Sequence, residues 1–396
     1  VTAPLTTFTV TNTNDNGTGS LRQAILAANA NPGLDTIAFN IPGAGLHTIT
    51  PTSALPIITD SVIIDGTTQP GFAGTPLVEL NGTRAGPANG LTIMAGRSTI
   101  RGLIINRFGG NGIELAINGD NVVEGNIIGT DVTRTMDLGN GGAGVFIDSG
   151  TGNIMSRNSI FSNGSLGIDL APEGVTPNDQ LDRDMGANNL QNVPDLTSAI
   201  ARSRSVSITG MLQSLARTRF VLEFFSNREC DPSGHGEGQM FIGSTTVMTD
   251  QNGAASFVAA FPVQLPAGRF ITATCLMIVR NSLSDTSEFS ICLPLVAGAN
   301  RPPMAADDRA TTDCFSNCQV IIDVLANDSD PDRDPLTIVS VTQSMHGRVE
   351  IIEEGRKVSY MPTEIFNGED TFTYTISDVD GSMATAKVTI TYAPGG

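Results

Sequence analysis

Four aspartates stand at alternate positions of one proline-interrupted stretch: Asp328, Asp330, Asp332 and Asp334. Carboxylates clustered in this way are hard oxygen ligands, the kind that Ca2+ gathers in sets of about six to eight at roughly 2.3–2.6 Å. Asp307, Asp308, Asp378 and Asp380 could complete such a site from neighbouring loops. The stretch is not an EF-hand loop, because the glycine and the bidentate glutamate are missing at the required spacing. Arg333 places a positive charge inside the run and weakens it as a cation site. A plainer alternative is a solvated acidic turn that its prolines and aspartates only shape. The expectation taken forward is a Ca2+ site with these eight aspartates as candidate ligands.

Catalytic chemistry finds fewer candidates. A polysaccharide hydrolase needs two or three convergent carboxylates, and a lyase needs an acidic calcium cluster beside an arginine or lysine base. Glu114 and Asp169 fall in one outward column, two strand spacings or roughly 10 Å apart, with Phe146 between them. They read as residues of a solvated face. Arg101 next to Glu124 reads as an ion pair between neighbouring strands, worth little at a surface. The three histidines, His47, His235 and His346, each sit in a turn-forming context with no nucleophile beside them. There is no tryptophan, and the three tyrosines all lie beyond residue 359, so an aromatic sugar platform is missing from the first half.

Charge excludes other partners. The formal net charge is −18 and the pI about 4.4, so nucleic acid and anionic membrane surfaces are repelled. No apolar run reaches the roughly 20 residues that span a bilayer. Val1 opens directly on strand-like sequence without a signal peptide, so for a secreted chain the numbering starts at or near the mature N-terminus. None of the five cysteines lies in a Cys-x-x-Cys pair, which with three histidines argues against zinc.

The elements that position these residues are legible from a repeat. Gly-apolar-x-apolar recurs at Gly90, Gly112, Gly144 and Gly167, at offsets of 22, 32 and 23 residues. A second ladder (Ile100–Ile105, Val123–Ile128, Met155–Ile160) has offsets of 23 and 32. Both lengthen at the same place, so one insertion, Thr130 to Gly141, accounts for both. A coil of roughly 22 residues suits a three-sided solenoid with parallel strands about 4.8 Å apart. Leu91, Ile113, Val145 and Ile168 then form one interior column, and Asn126 over Asn158 a corner ladder of amides. Ser20-Leu-Arg-Gln23 is a capping box that starts a helix through Ala30, a lid for the first coil. No matching lid is visible after Leu170, which leaves an open end able to accept a neighbour's strand.

The stretch from Phe8 to Asn29, with Asp35–Asn40 and Ile64–Gly71, resembles the start of large bacterial surface proteins. Those carry a Ser-Leu-Arg-Glu-Ala-type cap ahead of β-helix repeats; here Gln23 stands where Glu is usual. The resemblance covers about residues 5–170 and implies location more than activity. Beyond a polar passage, Pro172 to Asp195, alternating strands and the Asp250-Gln-Asn-Gly253 turn read as an Ig-like sandwich. Glu229–Gly234 with Ser287–Cys292 resembles modules that follow such β-helices, which implies a Cys230–Cys292 disulfide. Cys275, inside an apolar strand, reads as a buried free thiol. After the stiff linker Asn300–Pro303, residues 300–392 resemble the cadherin-like repeat of bacterial adhesins through Asp323–Leu336, His346-Gly347 and Phe366–Asp378. A local Cys314–Cys318 disulfide is expected there, consistent with an oxidising compartment.

The reading is therefore an all-β chain: a right-handed parallel β-helix with a capping helix over 1–195, an Ig-like sandwich over 196–298 and a cadherin-like sandwich over 299–396. Its expected role is a secreted, cell-surface structural or adhesive protein and not an enzyme. It self-associates into a fibre or meets a surface or glycan partner, with calcium in its last sandwich. The rival readings are an extracellular polysaccharide lyase or glycoside hydrolase using the β-helix face, and a glycan-binding adhesin.

Overall fold

The computed structural model describes residues 5–313, 318–364 and 366–393. The chain forms two compact units. The first comprises Val1–Ser198, Thr209–Phe257 and Gly268–Pro294; the second comprises Ala199–Ile208, Val258–Ala267 and Leu295–Gly396.

In the first unit the repeat winds into three parallel sheets. One runs Thr7–Val10, Asp35–Phe39, Val62–Asp65, Thr99–Arg101, Val122–Glu124, Ile154–Ser156. The second runs from His47–Ile49 through Val78–Asn81, Leu103–Asn106 and Ile127–Ile128 to Ser159–Ile160. The third stacks Leu91–Ile93, Ile113–Leu115, Val145–Ile147 and Ile168–Leu170. Val145 is in register with Ile113 on one side and Ile168 on the other, as the matched offsets of the two ladders require. The insertion leaves that register intact and closes on itself through a Thr130–Asp137 bridge.

Glycine at the head of each third-sheet strand follows from stacking. A Cβ on Gly90, Gly112 or Gly144 would sit 2.4–2.6 Å from the carbonyl oxygen of the equivalent glycine one coil on. Corner asparagines carry the backbone groups that the turns strand: Asn126 donates to Asn158 Oδ1 at 3.1 Å and accepts from Leu103 N–H at 3.0 Å. Two further ladders, Asn121 with Asn153 and Asn140 with Asn163, do the same at other corners.

The helix Leu21–Ala30 starts where Ser20 accepts from Gln23 N–H, and it buries Leu21, Ala24, Ile25 and Ala28. Those residues join the β-helix core, so the near end is closed by apolar contact.

The far end is closed too, which corrects the expectation of an open one. Strands of the following sandwich, ordered Met240–Met248, Arg219–Asn227, Phe270–Val279, Ser282–Thr286, belong to the same unit. On the first sheet, Asp285 accepts from Gly152 N–H, Thr286 Oγ1 from Met155 N–H and Glu223 from Arg157 N–H. On the second, Ile160 and Gly238 exchange two backbone bonds of 2.9 Å, and Glu237 accepts from Ser162 N–H and Asn163 N–H. On the third, Glu288 accepts from Leu170 N–H at 3.0 Å. Phe225 and Phe289 complete the apolar core beneath. The edge amides of all three sheets thus have carboxylate, hydroxyl or carbonyl acceptors from later in the chain.

Cys230 and Cys292 are bridged, and Cys275 is a buried free thiol. In the second unit, two antiparallel-rich sheets pack around Tyr360, Tyr374, Ile376 and Val388. Cys314 lies outside the described residues, and with it the expected local bridge to Cys318.

Candidate functional site

The eight candidate calcium ligands all lie in the second unit, but no three of them bring ligand atoms within 4.8 Å of one another. They separate into groups with different partners. Asp307 accepts from Lys387 N–H, and Asp328 from Ala306 N–H and the Tyr374 hydroxyl. Burial raises the pKa of Asp308 against the pull of the same tyrosine, and the negative charge of Asp328 adds to the rise. Asp378 is taken up by Asn300 Nδ2 and Ser382 N–H. Asp380 receives Arg204 N–H at 2.7 Å and Ser205 Oγ at 2.6 Å.

The other three gather around an arginine that the sequence reading did not single out. Arg202, with a side chain 2% exposed, lies 3.4 Å from Asp332 and 3.3 Å from Asp334. Arg301 also pairs with Asp332, at 2.8 Å. Asp330 Oδ1 accepts the backbone N–H groups of Asp332 and Asp334, which bends the loop around it. Burial pushes Asp334 up to about 6; Arg202 pulls it down, while Asp330, Asp380 and Asp332 push it further up. With Asp380 close enough to act on Asp334, four carboxylates therefore stand near two guanidinium groups. Asp330 Oδ2 and Asp334 Oδ2 are buried without any hydrogen-bond partner. Those two oxygens fit a hard cation, and the net negative charge favours one; Asp308 Oδ2 is likewise buried without a partner but belongs to the separate group around Asp328 and Tyr374, and the other five aspartates have oxygens turned to protein donors.

Three carboxylates do converge within 4.8 Å at Asp179, Asp182 and Asp184, after the β-helix. The Asp-x-x-Asp-x-Asp spacing was visible inside the polar passage from Pro172 to Asp195, but nothing in it distinguished a cluster from a loop.

On the β-helix, Glu114 accepts from Asn89 Nδ2 at 2.5 Å and from Thr92 Oγ1 at 3.3 Å. Asp169 is not on a solvated face, contrary to expectation. It is 1% exposed, accepts from Gly174 N–H, and burial pushes it up to about 6 with help from Glu288 and Glu173. Arg101 does meet Glu124, at 3.6 Å, but its closer partner is Asp65 at 2.6 Å. Burial would raise Asp65, and the Arg101 and Thr67 bonds outweigh it, so its carboxyl sits below the usual range. His346 pairs with Glu364 and stacks on Phe366, a structural use.

Two family models match parts of the chain. Residues 45–178 match the family model of a right handed beta helix region, and residues 300–391 that of a bacterial Ig domain. The chain thus carries a β-helix region and a bacterial Ig domain. Together they point to an extracellular surface or adhesin-type protein. No curated protein matches it. Similar solved structures include an endo-fucoidan hydrolase of glycoside hydrolase family 107, 16% identical over 52% of this chain and 28% of that one, with a TM-score of 0.24. The BSP domain of a biofilm associated protein is 16% identical over 53% and 31%, with a TM-score of 0.17. Drosophila N-cadherin EC1-4 is 10% identical over 52% and 51%, with a TM-score of 0.20. The chain spans less than a third of the first two. Among the described residues no helix is long and apolar enough to cross a membrane.

Proposed function

We propose that this protein is a secreted, non-catalytic component of the cell surface with a structural or adhesive role. The observation that carries the reading is the employment of the β-helix carboxylates. Asp65, Glu114 and Asp169, and the later Glu223, Glu237 and Glu288, each hold a side chain or backbone amide of the fold. A hydrolase needs two carboxylates left free to face a substrate. Incubation with a panel of extracellular polysaccharides tests this. Steady release of reducing ends, lost in Glu114→Gln, would overturn it; binding to cells or glycans without cleavage supports it.

Self-association remains part of the proposal, moved from the solenoid end to a sheet edge. Strand Met240–Met248 is an edge strand with no charged residue and no proline. The edge strand Gly347–Ile352, by contrast, carries Arg348 and Glu350. Charges and prolines are the usual guards of an open edge. Calcium also stays a proposal, narrowed to Asp330 and Asp334.

A further inference from the structure

Eight of the chain's twelve methionines lie at the surface. Met136, Met185, Met248, Met304, Met345 and Met383 are 55–86% exposed, and Met361 and Met211 are 38% and 40% exposed. Among the described residues only Met155 belongs to a core. Methionine is ordinarily one of the more buried residue types. Isoleucine, of similar size, shows what this fold does with such a side chain when apolar character decides. Ile37, Ile64, Ile100, Ile105, Ile128 and Ile160 build the β-helix core coil after coil. Among the described residues only Ile57, Ile117, Ile291, Ile321 and Ile351 are exposed. The exposed methionines do not make one docking face either. Four belong to each compact unit, and they stand on separate elements: Met136 in the solenoid insertion, Met185 in the polar passage, Met248 at the end of an edge strand.

The other readily oxidised side chains are missing or hidden. There is no tryptophan. Tyr360 and Tyr374 are 0% exposed, and Tyr392 packs against the same core. Cys275, the free thiol among the described residues, is 0% exposed. Burial, helped by the charge of Asp182, raises that thiol well above its ordinary range, so the reactive thiolate does not form. An oxidant arriving from solvent therefore meets thioether sulfur first.

We propose that the exposed methionines are a sacrificial oxidation site, which consumes peroxides while the fold is kept. The sulfur lone pair attacks one peroxide oxygen and the O–O bond breaks. The proton of the transferred hydroxyl passes to the departing oxygen, which leaves as water when the oxidant is hydrogen peroxide. Sulfur gives up two electrons, the peroxide takes them, and the side chain ends as a sulfoxide. A thiol-dependent sulfoxide reductase reverses the step: two thiols become a disulfide and the oxygen leaves as water. Placement makes the conversion tolerable. A sulfoxide is polar, and at an exposed side chain its oxygen stays hydrated. At Met155, 2% exposed inside the β-helix, the same oxygen would be buried among apolar groups without a donor, which is costly. The activity is additional to the structural or adhesive role and depends on neither a partner nor calcium.

Treatment of the purified full chain with hydrogen peroxide, followed by peptide mass mapping and circular dichroism, tests the proposal. The eight exposed methionines should each gain one oxygen, on the order of tenfold faster than Met155 or more. The melting transition should persist after all eight have reacted. A variant with all eight replaced by glutamine (Met185→Gln and its counterparts) leaves no exposed thioether. At one peroxide per exposed wild-type thioether, that variant should oxidise Met155 and lose structure sooner than the wild type. Surface methionines that react no faster than Met155 would overturn the proposal. So would a melting transition lost as the surface oxygens are added, or equal oxidation of Met155 in the two proteins. The wild-type map and melting curve decide by themselves if the variant does not fold.

Discussion

Replacing Glu237 by glutamine tests the closure of the β-helix end quantitatively. Glu237 is 5% exposed, and it accepts the N–H groups of Ser162 and Asn163 and the Asn163 side-chain amide. Burial pushes it from 4.5 up to about 7 despite those donors. A folded-state pKa raised above the unfolded one stabilises fully below the unfolded value and loses that contribution as pH climbs through the folded value. The window for Glu237 is therefore about pH 4.5 to 7, and the rise between those values is worth about 3 kcal/mol, taking 1.36 kcal/mol per pH unit. Glutamine cannot ionise, so Glu237→Gln removes this slope. It also turns an NH2 toward one of the three donors and leaves that donor unpaired, about 1–3 kcal/mol at every pH. Urea unfolding of both proteins at pH 5 and pH 8, followed by circular dichroism, gives the four numbers needed. The wild type should lose about 2–3 kcal/mol more than the variant between the two pH values, since part of the window lies below pH 5. Buried Glu223, Glu288 and Asp169 tilt both proteins the same way and cancel in the difference. An equal pH dependence in the two proteins, or a wild type that gains stability toward pH 8 relative to the variant, would refute the reasoning.

Four further outcomes follow. Gly144→Ala puts a methyl 2.5 Å from Ile160 Cγ2 and 2.6 Å from Gly167 O, so a loss of about 3 kcal/mol or more is expected by thermal denaturation. Gly125→Ala, whose Cβ meets open space but whose φ is 62°, should lose only about 1 kcal/mol. Calcium titration should raise the melting temperature of the wild type and leave the Asp330→Asn, Asp334→Asn double variant unmoved; equal responses would count against these two ligands. Thr246→Lys, on an exposed position of strand Met240–Met248, should disperse any oligomer seen by sedimentation, since a charge on a bare edge opposes strand pairing.

The solenoid was legible in the sequence because parallel stacking couples coil length to register. Equal spacing of Gly112, Gly144 and Gly167 with Ile128 and Ile160, shifted together by one insertion, has few other physical causes. The capping helix was legible for a local reason, a serine three residues before a glutamine at the head of an apolar face. The closing of the far end was not. Glu237 and Glu288 stand 74 and 118 residues from the amides Asn163 and Leu170 that they hold, and a glutamate bound for burial carries no local mark. Asp169 has the right parity for an outward face, but the chain that covers it comes after the repeat has ended. The acidic loop shows the same limit. The alternation of Asp328 to Asp334 announced ligating oxygens, yet Arg202, 132 residues away from Asp334, is the charge that meets them. Local pattern determines what each strand and turn must be; which buried charge finds which partner is decided only when distant segments share one desolvated space.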